Sequence, residues 1–225
     1  MRIKIAIATN INFFETTLPI VLQSLLESGI ERDSIFVFNG GYSNRATKVI
    51  DGITHYELDH NSFEYGPLIE ICEGYLESDY WFLMHDTCKV GPRFKDLLYN
   101  IPDHTPAKLA LKIFPSMSIG LYRYDYLMTV RDKIISIKNT DYSIESMLRW
   151  KHWGRGNEDY ILWQTEPAPE ICNGTKTNPY GDSIDQGNWY GTETIRITEY
   201  HPSLDLYKNK SNWGQSAVEN MIITI

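Results

Sequence analysis

The sequence predicts an α/β fold built on a mostly parallel, mixed sheet with helices on its faces. Short apolar runs of strand length alternate along the chain with segments whose apolar residues recur at helical spacing. Each of the first four apolar runs ends on polar residues. Because strands that alternate with helices are joined by right-handed crossovers, we expect them to lie side by side in one Rossmann-like sheet.

The first strand is predicted over residues 3–8, an apolar run rich in isoleucine. Thr9 and Asn10 follow it directly. Polar side chains in this position lie at the carboxyl end of a strand, where the ligand crevice of an α/β sheet opens. The two residues are therefore candidates for hydrogen bonds to the base and ribose of a nucleotide, although polar turn residues do the same for ordinary loops.

A helix is predicted after the first strand. Thr16 or Thr17 can cap its start, Pro19 suits its first turn, and Gly29 ends it. Its apolar side chains recur on one face: Leu18, Val21, Leu22, Leu25 and Leu26.

The same pattern then recurs along the chain. A second strand over residues 34–38 ends at Asn39, and a third covers residues 54–58. Gly66, followed by a proline, opens the next helix. That helix leads to residues 80–87, an apolar run that stops on a carboxylate. Its polar end is predicted to share the crevice with the ends of the earlier strands.

The second half of the chain is less regular. It is predicted to contain helices at 94–99 and 141–153, a short helix from Glu158, and strands at 109–113, 118–123 and 194–200. We divide the chain into a domain of residues 1–165 and a loop-rich C-terminal extension of residues 166–225 that packs on the same domain.

Composition excludes several classes of protein. The hydrophobic share of 42% and the charged share of 22% are ordinary for a globular protein. The net charge of -8, with scattered basic residues, argues against nucleic acid as a partner. No segment reaches the length of a membrane span. Three separated cysteines, Cys72, Cys88 and Cys172, support neither a disulfide framework nor a zinc site, so we expect a cytoplasmic protein.

Asp86 is the first candidate for a metal ligand, and the adjacent His85 is a candidate for a second one. A hard divalent cation such as Mg²⁺ or Mn²⁺ is held by one or two carboxylates and shares its other positions with substrate phosphates. The alternative is that Asp86 caps the turn after its strand. In the tail, His201 is a candidate for a further metal ligand and Lys208 for a phosphate contact, whereas a lone histidine is more often structural.

Two further segments point to chemistry. Glu158 and Asp159 stand at a predicted helix start, where a carboxylate can act as a general base toward a hydroxyl. Acids in the first helical turn also simply stabilise the helix macrodipole. Gly120 lies in a strand-like run, where a glycine allows the close approach of an acceptor or else marks a bulge.

In this order, the motifs over residues 1–165 resemble the nucleotide-sugar glycosyltransferases of the A-type fold (GT-A), especially the family-2-like inverting enzymes. The Asp-x-Asp element of that family, which holds the metal and the donor diphosphate, falls on Met84, His85 and Asp86, so that only the last acid is retained. The Glu-Asp motif of the family falls on Glu158 and Asp159.

The resemblance implies a transferase that uses a UDP- or GDP-sugar and a carbohydrate or other hydroxyl acceptor, with Asp159 as the base and a Mn²⁺ or Mg²⁺ ion at Asp86. If the enzyme instead retains configuration, Asp159 orients the acceptor and His201 gains weight as a metal ligand. The predicted donor-binding residues are Thr9, Asn10, Asn39, Gly66, Asp86, Gly120 and Lys208. The alternatives are a nucleotidyltransferase, which would want a basic glycine-rich loop after the first strand, and a non-catalytic carbohydrate- or nucleotide-binding protein.

Overall fold

The computed structural model describes residues 2–101, 108–110, 119–139, 182–183, 195–201 and 204–211. Its helices are α1 (Phe14–Glu27), α2 (Gly66–Glu73), α3 (Phe94–Tyr99), α4 (Tyr124–Thr129) and α5 (Arg131–Ser136). Its strands are β1 (Ile3–Asn10), β2 (Ile35–Gly40), β3 (Ala46–Ile50), β4 (Ile53–Leu58), β5 (Tyr80–His85), β6 (Cys88–Val90), β7 (Lys108–Ala110), β8 (Gly120–Arg123), β9 (Asp182–Ser183), β10 (Ile195–His201) and β11 (Leu206–Ser211). None of the helices among these residues is long and apolar enough to cross a membrane.

Among the described residues, seven strands form the central sheet, in the order β3-β4-β2-β1-β5-β8-β7. The central strands β4, β2, β1 and β5 are parallel to one another. The flanking strands β3, β8 and β7 pair antiparallel with their neighbours. The predicted α/β fold with a mostly parallel, mixed sheet is confirmed.

Helices α1 and α2 cover opposite faces of this sheet. Ile5 and Ile7 of β1 pack in the same buried cluster as the apolar side chains of α1, whereas Ala6 packs in the cluster that contains those of α2. In β5, Phe82 and Leu83 divide between the same two clusters, because successive side chains of a strand point to opposite faces. Burying each large apolar side chain stabilises the fold by roughly 1.5–3 kcal/mol.

The order of the strands creates a switch point between β1 and β5. Helix α1 leads from β1 to β2 on one side of β1, and α2 leads from β4 to β5 on the other side. The chain therefore reverses the direction in which it adds strands at the boundary of β1 and β5. In open α/β sheets, ligands bind outside the carboxyl ends of the strands at such a point.

A second, antiparallel sheet joins the C-terminal part of the chain to the segment after β5. Its strand order is β6-β11-β10-β9, and Lys208 of β11 lies opposite Cys88 of β6. The predicted strand at 194–200 corresponds to β10 (Ile195–His201), whereas β11 was not predicted. The division of the chain at residue 165 stays a prediction.

The prediction that Thr16 or Thr17 caps the first helix is wrong. Helix α1 begins at Phe14, its N-cap residue Phe13 makes no side-chain cap, and Pro19 lies inside the helix rather than in its first turn. Thr17 is buried, and its hydroxyl donates a hydrogen bond to the carboxylate that follows β5, as described below.

The remaining elements differ in smaller ways from the predictions. The strands predicted at 109–113 and 118–123 correspond to β7 (Lys108–Ala110) and β8 (Gly120–Arg123), with residues 111–118 outside the described ranges. The helix predicted at 141–153 and the short helix from Glu158 also lie outside them. The helix at Phe94–Tyr99 is confirmed.

A buried polar network holds the loop after β4 against the end of β2. His60 is fully buried, with its Nδ1 atom 2.8 Å from Oγ of Ser62 and its Nε2 atom 3.2 Å from Oε1 of Glu70 in α2. The carbonyl of His60 accepts a hydrogen bond of 3.1 Å from the backbone N–H of Gly41. The loops that follow β2 and β4 are thereby fixed to each other and to α2.

Candidate functional site

Asp86 lies at the switch point, one residue after β5. Its backbone N–H donates to the carbonyl of Ala8 in β1 over 3.0 Å. Its Oδ2 atom accepts hydrogen bonds from the hydroxyls of Thr9, at 2.6 Å, and of Thr17, at 2.5 Å. The carboxyl group thus joins the ends of β1 and β5 to α1, and only 8% of the residue is exposed.

Burial and the neighbouring polar groups have opposite effects on the pKa of Asp86. Burial raises the pKa of the carboxyl group above its ordinary value, because the charged form loses its hydration. The hydroxyls of Thr17 and Thr9, the ammonium group of Lys208 and the backbone N–H of Thr87 stabilise the carboxylate and act in the opposite direction. The stability of the charged form of Asp86 therefore depends on these neighbouring groups.

Lys208 reaches this group from the C-terminal part of the chain. The pairing of β11 with β6 places Lys208 opposite Cys88, just past Asp86. The Nζ atom of Lys208 donates to Oγ1 of Thr87 over 3.1 Å, and only 7% of the residue is exposed. A buried lysine is uncommon in a folded protein. The second sheet therefore brings a positive charge to the carboxyl end of β5.

Asn10 and Asn39 stand at the ends of the neighbouring strands β1 and β2. Oδ1 of Asn10 accepts from the backbone N–H of Asn12 over 2.9 Å, and Nδ2 of Asn39 donates to the Tyr42 hydroxyl over 3.0 Å. The other amide atoms, Nδ2 of Asn10 and Oδ1 of Asn39, are buried and have no hydrogen-bond partner in the part of the chain that the structure describes. A buried polar atom without a partner is costly, so this pair of donor and acceptor is suited to a polar ligand.

Gly41 brings the end of β2 close to the end of β1. Its φ of +101° is a conformation that favours glycine. A Cβ atom at this position would lie 2.9 Å from Cγ2 of Ile11, which follows β1. The two strand ends that carry the asparagines are therefore held in close contact.

The two predicted glycines lie in packed positions. Gly66 begins α2, and a Cβ atom there would lie 3.2 Å from Cδ1 of Leu58 at the end of β4. Gly120 is buried in β8 and pairs with Leu83 of β5 on one side and with Ala110 of β7 on the other. Direct contact of either glycine with a nucleotide-sugar donor or with the molecule that accepts the sugar stays a prediction.

The structure does not bring the predicted metal ligands together. Asp86 contacts Thr17 of α1, whereas the alternation of β5 places His85 on the same face as Leu83, toward α2. His201 is the last residue of β10, and its side chain is not among the described parts of the chain. In the described ranges no group of three or more His, Cys, Asp or Glu side chains is placed to hold a metal ion.

The described residues do not fit a divalent cation at Asp86. Met84, which stands where the Asp-x-Asp element would have its first acid, is fully buried in the core. Two hydroxyls, those of Thr9 and Thr17, donate to one oxygen of Asp86. The ammonium group of Lys208 acts on the same carboxylate and would repel a cation. We therefore assign no step of a reaction to a metal ion.

The predicted catalytic pair, Glu158 and Asp159, lies outside the described residues. Their role as a general base with its neighbour stays a prediction.

Two residues of the site were not predicted from the sequence. The sequence pattern predicts Thr17 as one of two candidate helix caps, and it predicts Thr87 only as the end of the β5 run. A signal existed for Thr17, because it lies next to Leu18 and four residues before Val21, on the apolar face of α1. A threonine on a buried helix face needs hydrogen-bond partners. The hydroxyl of Thr17 finds them in the carbonyl of Phe13, at 3.0 Å, and in the carboxylate of Asp86, at 2.5 Å.

Comparisons with known proteins show weak structural likeness only. No protein-family model matches the chain, and no curated protein matches it in sequence. The catalytic domain of Drosophila β1,4-galactosyltransferase 7 in complex with xylobiose aligns over 96% of this chain and 98% of its own, with 13% identity and a TM-score of 0.33. A mutant of the same Drosophila enzyme, in complex with manganese, UDP-Gal and xylobiose, aligns over the same shares with 12% identity and a TM-score of 0.32.

Proposed function

We propose that this protein is a glycosyltransferase that moves a sugar from a nucleoside-diphosphate sugar to a hydroxyl acceptor. The observation that carries the proposal is the polar group formed by Thr9, Thr17 and Asp86 at the switch point of the sheet. In α/β sheets of this kind, nucleotides bind at that point. The residues around it offer separate contacts for each part of a donor.

The base and ribose are assigned to the ends of β1 and β2. The buried Nδ2 atom of Asn10 and Oδ1 atom of Asn39 offer one donor and one acceptor. The hydrogen-bonding edge of a uracil or guanine ring presents both kinds of group, and so do ribose hydroxyls. We therefore propose UDP- and GDP-sugars as the donors to test.

The transfer itself is assigned to Asp159, on the strength of the Glu-Asp motif that Glu158 and Asp159 share with the family-2-like enzymes. The acceptor oxygen attacks the anomeric carbon, and the bond from that carbon to the diphosphate oxygen breaks. The nucleoside diphosphate leaves with the bonding electrons, and the Asp159 carboxylate takes the proton of the acceptor hydroxyl. Attack opposite to the leaving group inverts the anomeric configuration.

Release of nucleoside diphosphate from a panel of UDP- and GDP-sugars, with and without sugar acceptors, tests this proposal. We expect Asp159→Asn to lower kcat by about 10²- to 10⁴-fold, as the loss of a general base does. The matched control is Asp132→Asn, an exposed acid of α5 whose replacement is expected to leave turnover unchanged. Turnover that survives Asp159→Asn would show that the base is another residue. Nucleotide binding without turnover of any donor would favour the non-catalytic binding protein.

A further inference from the structure

The diphosphate of a donor would meet an unusual set of charges at the end of β5. Asp86 repels a phosphate group, and its Oδ2 atom is taken up by Thr9 and Thr17. The position two residues earlier is Met84, a core side chain with no affinity for a hard cation. Among the described residues, the set of carboxylates that would hold a metal ion next to the diphosphate is therefore incomplete.

Lys208 supplies the opposite charge at the same place. Its ammonium group lies 3.1 Å from the hydroxyl of Thr87, the residue after Asp86. An ammonium group has three N–H donors. Within the part of the chain that the structure describes, Thr87 takes one of them, and phosphate oxygens can accept from the other two. Lysine is a common phosphate ligand for this reason.

We infer that Lys208 takes the place of a divalent cation: its ammonium group neutralises the diphosphate of the donor, and nucleotide binding needs no metal ion at Asp86. This inference rests on the proposed function. In it, Asp86 is a positioning residue, which holds the ends of β1 and β5 together through Thr9 and Thr17 and keeps the Lys208 ammonium next to the diphosphate.

Burial strengthens the effect of this one charge. Asp86, Thr87 and Lys208 are all at most 9% exposed, so water screens the ammonium group weakly. The register of β11 against β6 sets its position, because Lys208 pairs with Cys88 while the adjacent Tyr207 pairs with Lys89. Lys89 itself is exposed and provides a lysine of the same sheet that is not part of the site.

The test is calorimetric titration of the full chain with UDP, with GDP and with uridine, first in EDTA and then in Mn²⁺. We expect UDP to bind the wild-type protein with the same affinity in both conditions. Lys208→Met should weaken UDP binding by at least about tenfold, the loss expected for one charge-assisted hydrogen bond. It should leave the binding of uridine, which has no phosphate, unchanged. Lys208→Arg should retain most of the affinity for UDP, and Lys89→Met, the matched control, should retain all of it.

Each other outcome contradicts a defined part of the inference. UDP binding that requires Mn²⁺ would overturn the inference and leave the proposed function standing. Equal UDP affinity of Lys208→Met and Lys89→Met would overturn the role of Lys208, and an equal loss of UDP and uridine binding would show that Lys208 is only structural. If Lys208→Met does not fold, Lys208→Gln is read in the same way. Failure of UDP, GDP and uridine to bind the wild-type protein in either condition would refute the proposed function itself.

Discussion

Replacing Thr17 by valine is expected to destabilise the protein through Asp86. Valine keeps the branched shape of threonine in α1 but removes the hydroxyl that lies 2.5 Å from Oδ2 of the buried carboxyl group. Thr16, the preceding residue of the same helix, is exposed. Thr16→Val is therefore a control with the same chemical change and the same helix propensity.

The magnitude follows from the kind of hydrogen bond that is lost. A hydrogen bond to a charged group contributes about 1.5–3 kcal/mol. For a chain of this size, that loss corresponds to a fall in Tm of roughly 3–12 °C, since 1 kcal/mol shifts Tm by about 2–4 °C. Thr16→Val should change the free energy of unfolding by less than about 0.5 kcal/mol, as surface substitutions usually do.

The effect of Thr17→Val should also depend on pH in a defined direction. Burial raises the pKa of Asp86 above its unfolded value. Ionisation of this carboxyl group therefore lowers the free energy of unfolding. Removal of a donor raises that pKa further. The loss of stability is therefore complete at pH values well above the folded pKa and shrinks as the pH falls and the carboxyl group is protonated.

Urea denaturation of the wild type and both variants, followed over a pH series that starts well above pH 7 and extends into the acid range, measures these differences. Equal stability of Thr17→Val and Thr16→Val at pH 7 would refute the assignment of Thr17 as a donor to Asp86. A deficit that grows as the pH falls would refute the explanation through the charge of Asp86.

Two further predictions concern the face of the sheet that α2 covers. Burial raises the pKa of the Cys72 thiol to about 12. Iodoacetamide at pH 8 should therefore leave this residue unmodified in the folded protein and label it in urea. Rapid labelling of Cys72 in the native state, detected by site-resolved mass spectrometry, would contradict this. Burial opposes the ionisation of Glu73, but hydrogen bonds from Arg45 and Lys138 outweigh it and hold the pKa below its ordinary value. Arg45→Met should therefore cost stability at pH 7, above the ordinary value of about 4.3, and the difference from wild type should vanish as the pH falls through the lowered pKa. Denaturation curves that show a pH-independent difference would contradict that account.

Local sequence patterns were sufficient to predict which residues lie at the carboxyl edge of the central strands. The apolar run of β5 and its polar end placed Asp86 at the carboxyl edge of a parallel sheet, and Thr9 does lie beside it. Strand β3 was not predicted, because all but its first residue are exposed and its side chains do not alternate between polar and apolar. Its hairpin with β4 is nevertheless signalled by Asp51 and Gly52, whose positive φ angles form the turn.

The rest of the site depends on contacts between distant parts of the chain. Thr17 and Asp86 are 69 residues apart, and Thr87 and Lys208 are 121 residues apart. Hydrophobic periodicity shows which face of an element is buried but not which element it meets. For this reason the sequence predicts Lys208 only as a phosphate ligand in the C-terminal extension. Its position beside Asp86 follows from the pairing of β11 with β6, which the sequence does not predict.

A crystal structure of the protein grown with UDP in EDTA tests the central claim most directly. We predict density for the nucleotide outside the carboxyl ends of β1, β2 and β5, with the base and ribose next to Asn10 and Asn39. The diphosphate should lie within hydrogen-bond distance of Nζ of Lys208. Nucleotide bound elsewhere on the protein would contradict the account, and so would the absence of bound nucleotide both at saturating UDP and, in a parallel crystal, at saturating GDP.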